Sequence, residues 1–484
     1  MKKLLKTTRY LLIFASIYLV ILGSVYNIEN IILISILSLF ISNMIYSIEN
    51  IKDRIVYFTF NCTFFVFEIG LMFVNFINGT RLLEFSDDII LHTLLTLYLS
   101  LFFINVGVLI IEFWNKQKYT NQIIIYEEVN WLLVVRRVCL IFFFVLFPFK
   151  MLFILERVKF VMEHSYISYY LDFQSNLPYL FIKFNDMCNV SFYAFLCTKP
   201  RKKEVIIPIL LSLIASVISL FSGQRNIFVL DILVILIYIV IRNFLDDKKY
   251  EIWIKKRSVL ILLVILPCFT IAMNSLSYIR NKQTFQYQGA GSSIEEFLKN
   301  QGLSVNIISY GKEMKNQIPN NGLYTLNPIM LFLKNNVFSK LLFNFQIYKP
   351  QTIEMALNGT SFANTITYMI SPTAYLSGYG AGTNYVAELY QDYGYFGVVI
   401  FNIIVGIILI KFAELFTNIS WWKSTLTLLL IRNILYIPRN ETLSFIMVGW
   451  NIINLLTLLL IYFISKLYYR KKYNKKFVCT QDID

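Results

Sequence analysis

Four short stretches carry the residues that could do chemistry. Ser222-Gly223-Gln224-Arg225-Asn226 and Tyr278-Ile279-Arg280-Asn281-Lys282 each set an arginine among small or amide-bearing neighbours. A longer run from Ser377 to Gly394 contains Gly378, Gly380 and Gly382, then Asn384, Glu388 and Asp392. The fourth runs from Arg432 to Glu441 and places Arg439 within Tyr436-Ile437-Pro438-Arg439-Asn440. Guanidinium groups stay charged and match phosphate oxygens in bidentate geometry, so several together suit a phosphate-bearing substrate. Each arginine also has a local alternative, among lipid headgroups or beside a carboxylate: Asp231 for Arg225, and Glu441 for Arg439.

The glycines let a backbone approach an anion closely, and a helix starting near Thr383 or Asn384 would aim its positive end at that anion. A flexible hinge is the alternative. The G-x-G-x-G spacing, with no preceding strand, excludes a dinucleotide fingerprint. Asn384, Glu388 and Asp392 fall at i, i+4 and i+8, on one helix face. Like charges at that spacing repel. They persist if solvated, if arginines compensate, or if one carboxyl keeps its proton, the state that suits general acid–base work. A solvated loop helix is the plainer reading of this face.

The elements that must position these residues are membrane spans. The chain has 484 residues, of which 57% are hydrophobic and 17% aromatic, an excess that marks the membrane class. Apolar runs of spanning length predict twelve helices, near 10–26, 31–48, 55–77, 89–113, 131–154, 178–197, 205–222, 226–244, 258–276, 395–416, 421–438 and 442–466. In that count every basic connector falls on one side, from Lys2–Arg9 through Arg201–Lys203 and Lys248–Arg257 to Lys466–Lys476. The positive-inside rule makes that side cytoplasmic, with both termini there. No cleavage site follows the basic start, which runs into the first span. The reading is an all-α polytopic membrane protein of about twelve transmembrane helices with one large extracytoplasmic loop. Residues 1–276 hold nine spans, 277–394 the loop with interfacial helices, 395–466 three more spans, and 467–484 a basic cytoplasmic tail.

All four stretches then lie at the outer face. Arg225 and Arg439 occupy two of the tightest outer turns, where positive charge is least expected, and Arg432 sits inside a span about two turns below Arg439. Within the long loop, Ile294–Leu303 suggests a short helix. Pro328–Tyr348 suggests either an interfacial helix or a buried helix of the loop's own core. Glu68, Lys183 and Asp186 lie inside spans and are site candidates by default, with helix-packing contacts the favoured reading. The net charge of +15 is spread over connectors, so nucleic acid is not expected as a partner. Six cysteines without a C-x-x-C pair, and two distant histidines, His92 and His164, give no disulfide framework and no metal site.

These stretches resemble those of the O-antigen and capsular polysaccharide polymerases of the Wzy family. The glycine-rich run followed by Ala387-Glu388-Leu389-Tyr390, Gly394 and Gly397 is the most telling. The S-G-Q-R-N turn and the Y-I-P-R-N stretch resemble the family's arginine positions, and Arg280 to Gly291 fits its Arg-x10-Gly spacing. The resemblance implies an architecture like that of GT-C enzymes and O-antigen polymerases and ligases. It implies an oligosaccharide repeat unit polymerase, a lipid-linked glycosyltransferase that needs no nucleotide-sugar donor and no cofactor or metal. Repeat units on undecaprenyl diphosphate would be joined into O-antigen or capsular polysaccharide at the outer face of the cytoplasmic (inner) membrane of a bacterium. Glu388 is the first candidate for the base and Asp392 the second; Arg225, Arg280, Arg432 and Arg439, with Gly380 and Gly382, would hold the diphosphate. Tyr379, Tyr385 and Tyr390 could stack on sugars or anchor the interface. The implied partners are the lipid-linked glycan and the bilayer, with a chain-length regulator and a flippase. The competing readings are an O-antigen ligase, a repeat-unit flippase, and a scaffold or sensor without chemistry. A ligase is expected to carry a histidine in the large loop, and 277–394 has none.

Overall fold

A computed structural model describes residues 2–118, 129–164, 166–245, 252–254, 271, 274, 289–334, 348–418 and 420–478. The ninth expected span (258–276) apart from two residues, the Arg280 stretch, positions 335–347 of the expected interfacial helix, and Cys479 lie outside the described residues.

Among the described residues all regular structure is helical. Among the described residues, nine helices are long and apolar enough to cross a membrane: Lys3–Tyr26, Glu29–Glu49, Ile51–Ile77, Asp87–Asn115, Val129–Glu163, Lys202–Leu220, Arg225–Phe244, Tyr385–Phe416 and Ser444–Lys472. Each matches one of the twelve expected spans. Of the other three, the sixth is the helix Tyr179–Cys197, and the eleventh is a helix of only 14 residues, Trp421–Ile434, shorter than a span needs.

We label the helices that begin the chain α1 (Lys2–Tyr26), α2 (Glu29–Glu49), α3 (Ile51–Phe64), α4 (Gly70–Ile77), α5 (Asp87–Lys118), α6 (Val129–Glu163), α7 (Tyr166–Asp172), α8 (Tyr179–Cys197), α9 (Lys202–Leu220) and α10 (Arg225–Leu245). The chain divides into two compact units. The first comprises Met1–Thr120, Lys256–Ala413 and Asn433–Met447; the second comprises Asn121–Lys255, Glu414–Arg432 and Val448–Asp484.

In the first unit, α1 packs on α2 and α2 on α5. Arg54 of α3 holds Glu112 of α5 through Nε and Nη2 at 2.6 and 2.7 Å, and Tyr46 of α2 donates to the same carboxylate. Two glycines bring α5 and the helix Tyr385–Asn418 into backbone contact. A Cβ on Gly107 would lie 2.1 Å from the Ile403 carbonyl oxygen, and one on Gly406 would lie 2.1 Å from that of Ile104. Dispersion between closely packed backbones is the main attraction available to helices in lipid, and only glycine permits this approach.

Between α3 and α4 the helix widens into one π turn, Phe65–Ile69. Short helices cluster around it. Ala290–Gly302 packs on the π turn and α4, and a Cβ on Gly302 would lie 2.5 Å from the Leu71 nitrogen. Asn306–Glu313 packs on α5. Further short helices are Asn327–Lys334, Ile353–Asn358, Phe362–Ile370 and Pro372–Leu376. The expected helix at 294–303 is therefore present and begins slightly earlier. In the second unit α6 packs on α8, and the C-terminal helix Ile452–Val478 packs on both, with α9 against α10.

Candidate functional site

The glycine-rich stretch folds as an extended turn ahead of a helix. Gly378 and Gly382 have φ of 97° and 84°, values that favour glycine. A Cβ at Gly380 or Gly382 would meet nothing, so that backbone faces open space. The turn is pinned at Ala381, whose N–H donates to Thr367 Oγ1 at 3.1 Å.

Asn384 starts the following helix. Its Oδ1 accepts from the Val386 N–H at 2.8 Å, capping the first turn. Its Nδ2 reaches across to the π turn and donates to both carboxylate oxygens of Glu68, at 2.7 and 2.9 Å. Ser304 completes the junction by donating to the Phe67 carbonyl at 2.7 Å and accepting from Asn384 through its own carbonyl. Glu68 and Asn384 are both fully buried. π turns are rare and are frequently found at functional sites. Glu68, read from sequence as a packing residue, thus lies at the centre of the buried polar cluster.

One turn along, Glu388 is also fully buried. Its Oε2 accepts from the Thr442 N–H and hydroxyl at 2.8 and 2.7 Å, and its Oε1 accepts from the Thr383 hydroxyl at 2.7 Å. This carboxylate ties the glycine-rich stretch to the segment carrying Arg439, which is three residues before Thr442. Asp392 binds the Tyr324 and Thr325 N–H groups at 3.1 and 2.8 Å and the Thr325 hydroxyl at 2.8 Å. The solvated reading of this face is overturned for Asn384 and Glu388, because each meets its own donors inside the protein. Gly394, with φ 62° and ψ −155°, then breaks the helix. That break explains why apolarity alone placed the span's start near 395, although helix begins at Tyr385.

Arg439 sits in a 3-10 turn, Ile437–Arg439, and donates through Nη1 to Gln301 Oε1 at 2.8 Å. Its guanidinium is 5.8 Å from the Phe67 ring centroid and lies within the electrostatic reach of Glu68. Glu441, the expected partner of Arg439, instead accepts from Asn327 Nδ2 at 2.7 Å. Burial holds its carboxyl above the usual range, opposed by the Asn327 bond.

The other expected site residues belong to the second unit or lie outside the described residues, as Arg280 does. Arg432 pairs with Asp231, Nε to Oδ1 at 2.8 Å, and Asp231 also accepts from the Ser216 and Tyr193 hydroxyls. Asp231 therefore serves Arg432, where sequence proximity suggested Arg225. Arg225 is the first residue of α10, directly after a turn in which Gly223 has φ 81°. Glu388, Asp392, Arg439, Gly380 and Gly382 thus share the first unit, whereas Arg225 and Arg432 share the second.

A family model described as O-antigen polysaccharide polymerase Wzy matches residues 8–472, nearly the whole chain. The chain belongs to that family. It is accordingly a multi-pass membrane protein and an enzyme of O-antigen polysaccharide polymerisation. No curated protein and no solved structure matches it. Within this Wzy protein, the partners that sequence reading did not name include Gln301, Ser304, Thr325 and Thr442. Nothing in their local sequence marks them, since each acts through a residue distant along the chain.

Proposed function

We propose that the protein joins oligosaccharide repeat units carried on undecaprenyl diphosphate, at the outer face of the bacterial cytoplasmic membrane, with both termini cytoplasmic. The supporting observation is the tie between the buried Glu388 carboxylate and Thr442, which lies three positions after Arg439 in the sequence. Of the two Glu388 oxygens, Oε1 is held by one hydroxyl donor, Thr383, and exchanges that partner for the acceptor's hydroxyl. The hydroxyl oxygen attacks the anomeric carbon of the donor glycan, and its proton passes to Glu388. The bond from that carbon to the diphosphate oxygen breaks, and the lipid diphosphate leaves with the electron pair. Arg439, with Arg280, stabilises the departing charge, and the open backbone at Gly380 and Gly382 admits a phosphate oxygen. Asp392 is the alternative base. A flippase delivers the units and a chain-length regulator sets the product length.

The test is Arg439→Ala at unchanged expression, read on a polysaccharide gel. Loss of long chains with exported single repeats supports the reading. A normal ladder refutes it, and units retained inside the cell would indicate a flippase.

A further inference from the structure

The second unit buries more positive charge than the residues named so far. α6 carries Lys150 and Arg157, 5% and 9% exposed, within a helix otherwise apolar enough to span. Seven residues apart, they share one helix face about 10 Å apart along the axis. Lys150 donates to Asn189 Oδ1 at 2.7 Å. Arg157 donates through Nη2 to Gln224 Oε1, and its guanidinium lies 5.3 and 5.6 Å from the Tyr169 and Phe153 ring centroids. Asp231, the carboxylate in whose field Lys150 lies, is already committed to Arg432. Among the described residues no carboxylate forms a salt bridge with Arg157 or Lys150, and the buried Arg157 Nε has no hydrogen-bond partner.

The corner around Arg157 is built rather than incidental. Gln224 follows Gly223, where a Cβ would lie 2.3 Å from a Tyr166 ring carbon, so the turn lies directly under α7. α7 also supplies Tyr169. An uncompensated guanidinium inside an apolar bundle is costly and normally faces a cavity or a partner.

We infer that Arg157, with Lys150 and Gln224, forms a subsite for the phosphate groups of a lipid-linked substrate. The inference rests on the polymerase reading and deepens it. Joining two lipid-linked units brings two diphosphates to the enzyme, and Arg157 adds a guanidinium beyond the four arginines assigned from sequence. The unpartnered Nε is the donor left for a phosphate oxygen, and Lys150 supplies a second charge on the same helix face.

The test is binding to the full-length protein in detergent, by fluorescence titration with geranylgeranyl diphosphate, inorganic pyrophosphate and geranylgeraniol. In the wild type the lipid diphosphate binds more tightly than the alcohol. Arg157→Gln weakens that binding at least tenfold, and Arg157→Lys recovers part of it. Pyrophosphate binding that also depends on Arg157 shows that phosphate alone is read; dependence confined to the lipid form assigns the site to a lipid-borne diphosphate. Equal affinity for the diphosphate in wild type and Arg157→Gln overturns the inference, as does equal binding of diphosphate and alcohol. If Arg157→Gln does not fold, Lys150→Met and Arg157→Lys carry the titration, and unchanged affinity in both overturns it. A normal polysaccharide ladder in Arg439→Ala alongside Arg157-dependent binding would sink the polymerase site and leave this subsite standing. The opposite pair of results would sink the subsite alone.

Discussion

Glu388→Gln separates a carboxylate that performs chemistry from one that only ties two segments together. Three hydrogen bonds converge on this buried side chain, two from Thr442 and one from Thr383. Glutamine can keep all three: its carbonyl oxygen accepts both Thr442 donors, and the Thr383 hydroxyl turns to accept from the new amide. The stability loss should therefore stay near 1 kcal/mol, the worth of an altered neutral bond. Alanine removes all three acceptors and leaves the Thr442 N–H buried and unpaired, which should cost about 4 kcal/mol or more. A base that takes a proton in the transition state is worth about 10²- to 10⁴-fold in rate. Glu388→Gln should thus express and unfold almost like wild type while losing polymerisation by that factor, measured as chain elongation of lipid-linked repeat units in membrane vesicles. If Glu388→Gln elongates chains at the wild-type rate, Glu388 is a structural tie and the base lies elsewhere, with Asp392 next to be tested by Asp392→Asn.

Further predictions concern the frame of the site. Asn384→Ala strips Glu68 of both hydrogen bonds from the Asn384 amide and uncaps the helix, and should cost about 3–5 kcal/mol; SDS titration in mixed micelles should show it, and adding Glu68→Leu should restore part of the loss. No restoration would mean that the two side chains are not coupled. Gly107→Ala forces a methyl to within 2.1 Å of the Ile403 carbonyl oxygen, so the helices must part, at about 1–3 kcal/mol; Gly107→Ala and Gly406→Ala together should cost less than their sum, because one separation relieves both clashes. Strict additivity in SDS titration would count against the shared crossing. Burial raises the Glu441 carboxyl above its usual 4.5, so the folded protein holds that proton more tightly than the unfolded chain does. Its contribution to stability is full below the unfolded value and falls as pH rises through the folded one. Melting temperatures across about pH 4 to 8 should decline less steeply in Glu441→Gln, and identical slopes would exclude this carboxyl as the cause.

Much of the fold is legible in the sequence because a bilayer imposes one coarse demand, long apolar helices with their backbone groups satisfied internally. Nine expected spans recur as helices of spanning length. The glycine-rich turn and the helix start at Tyr385 were also local matters, since Gly382 and the cap at Asn384 act on their immediate neighbours. The break at Gly394 was not legible, because apolarity measures suitability for lipid and not helical continuity.

The sequence by itself determined the membrane class, the family resemblance, and the residue types gathered in the Ser377–Gly394 and Arg432–Glu441 stretches. Only the tertiary structure decided which of them meet. It joined Glu388 to Thr442 and Asn384 to Glu68, gave Asp231 to Arg432, and gave Glu441 to Asn327. The physical reason is that a buried polar atom must be satisfied by whatever packing brings within about 3 Å, and that neighbour is set by how helices cross, not by distance along the chain.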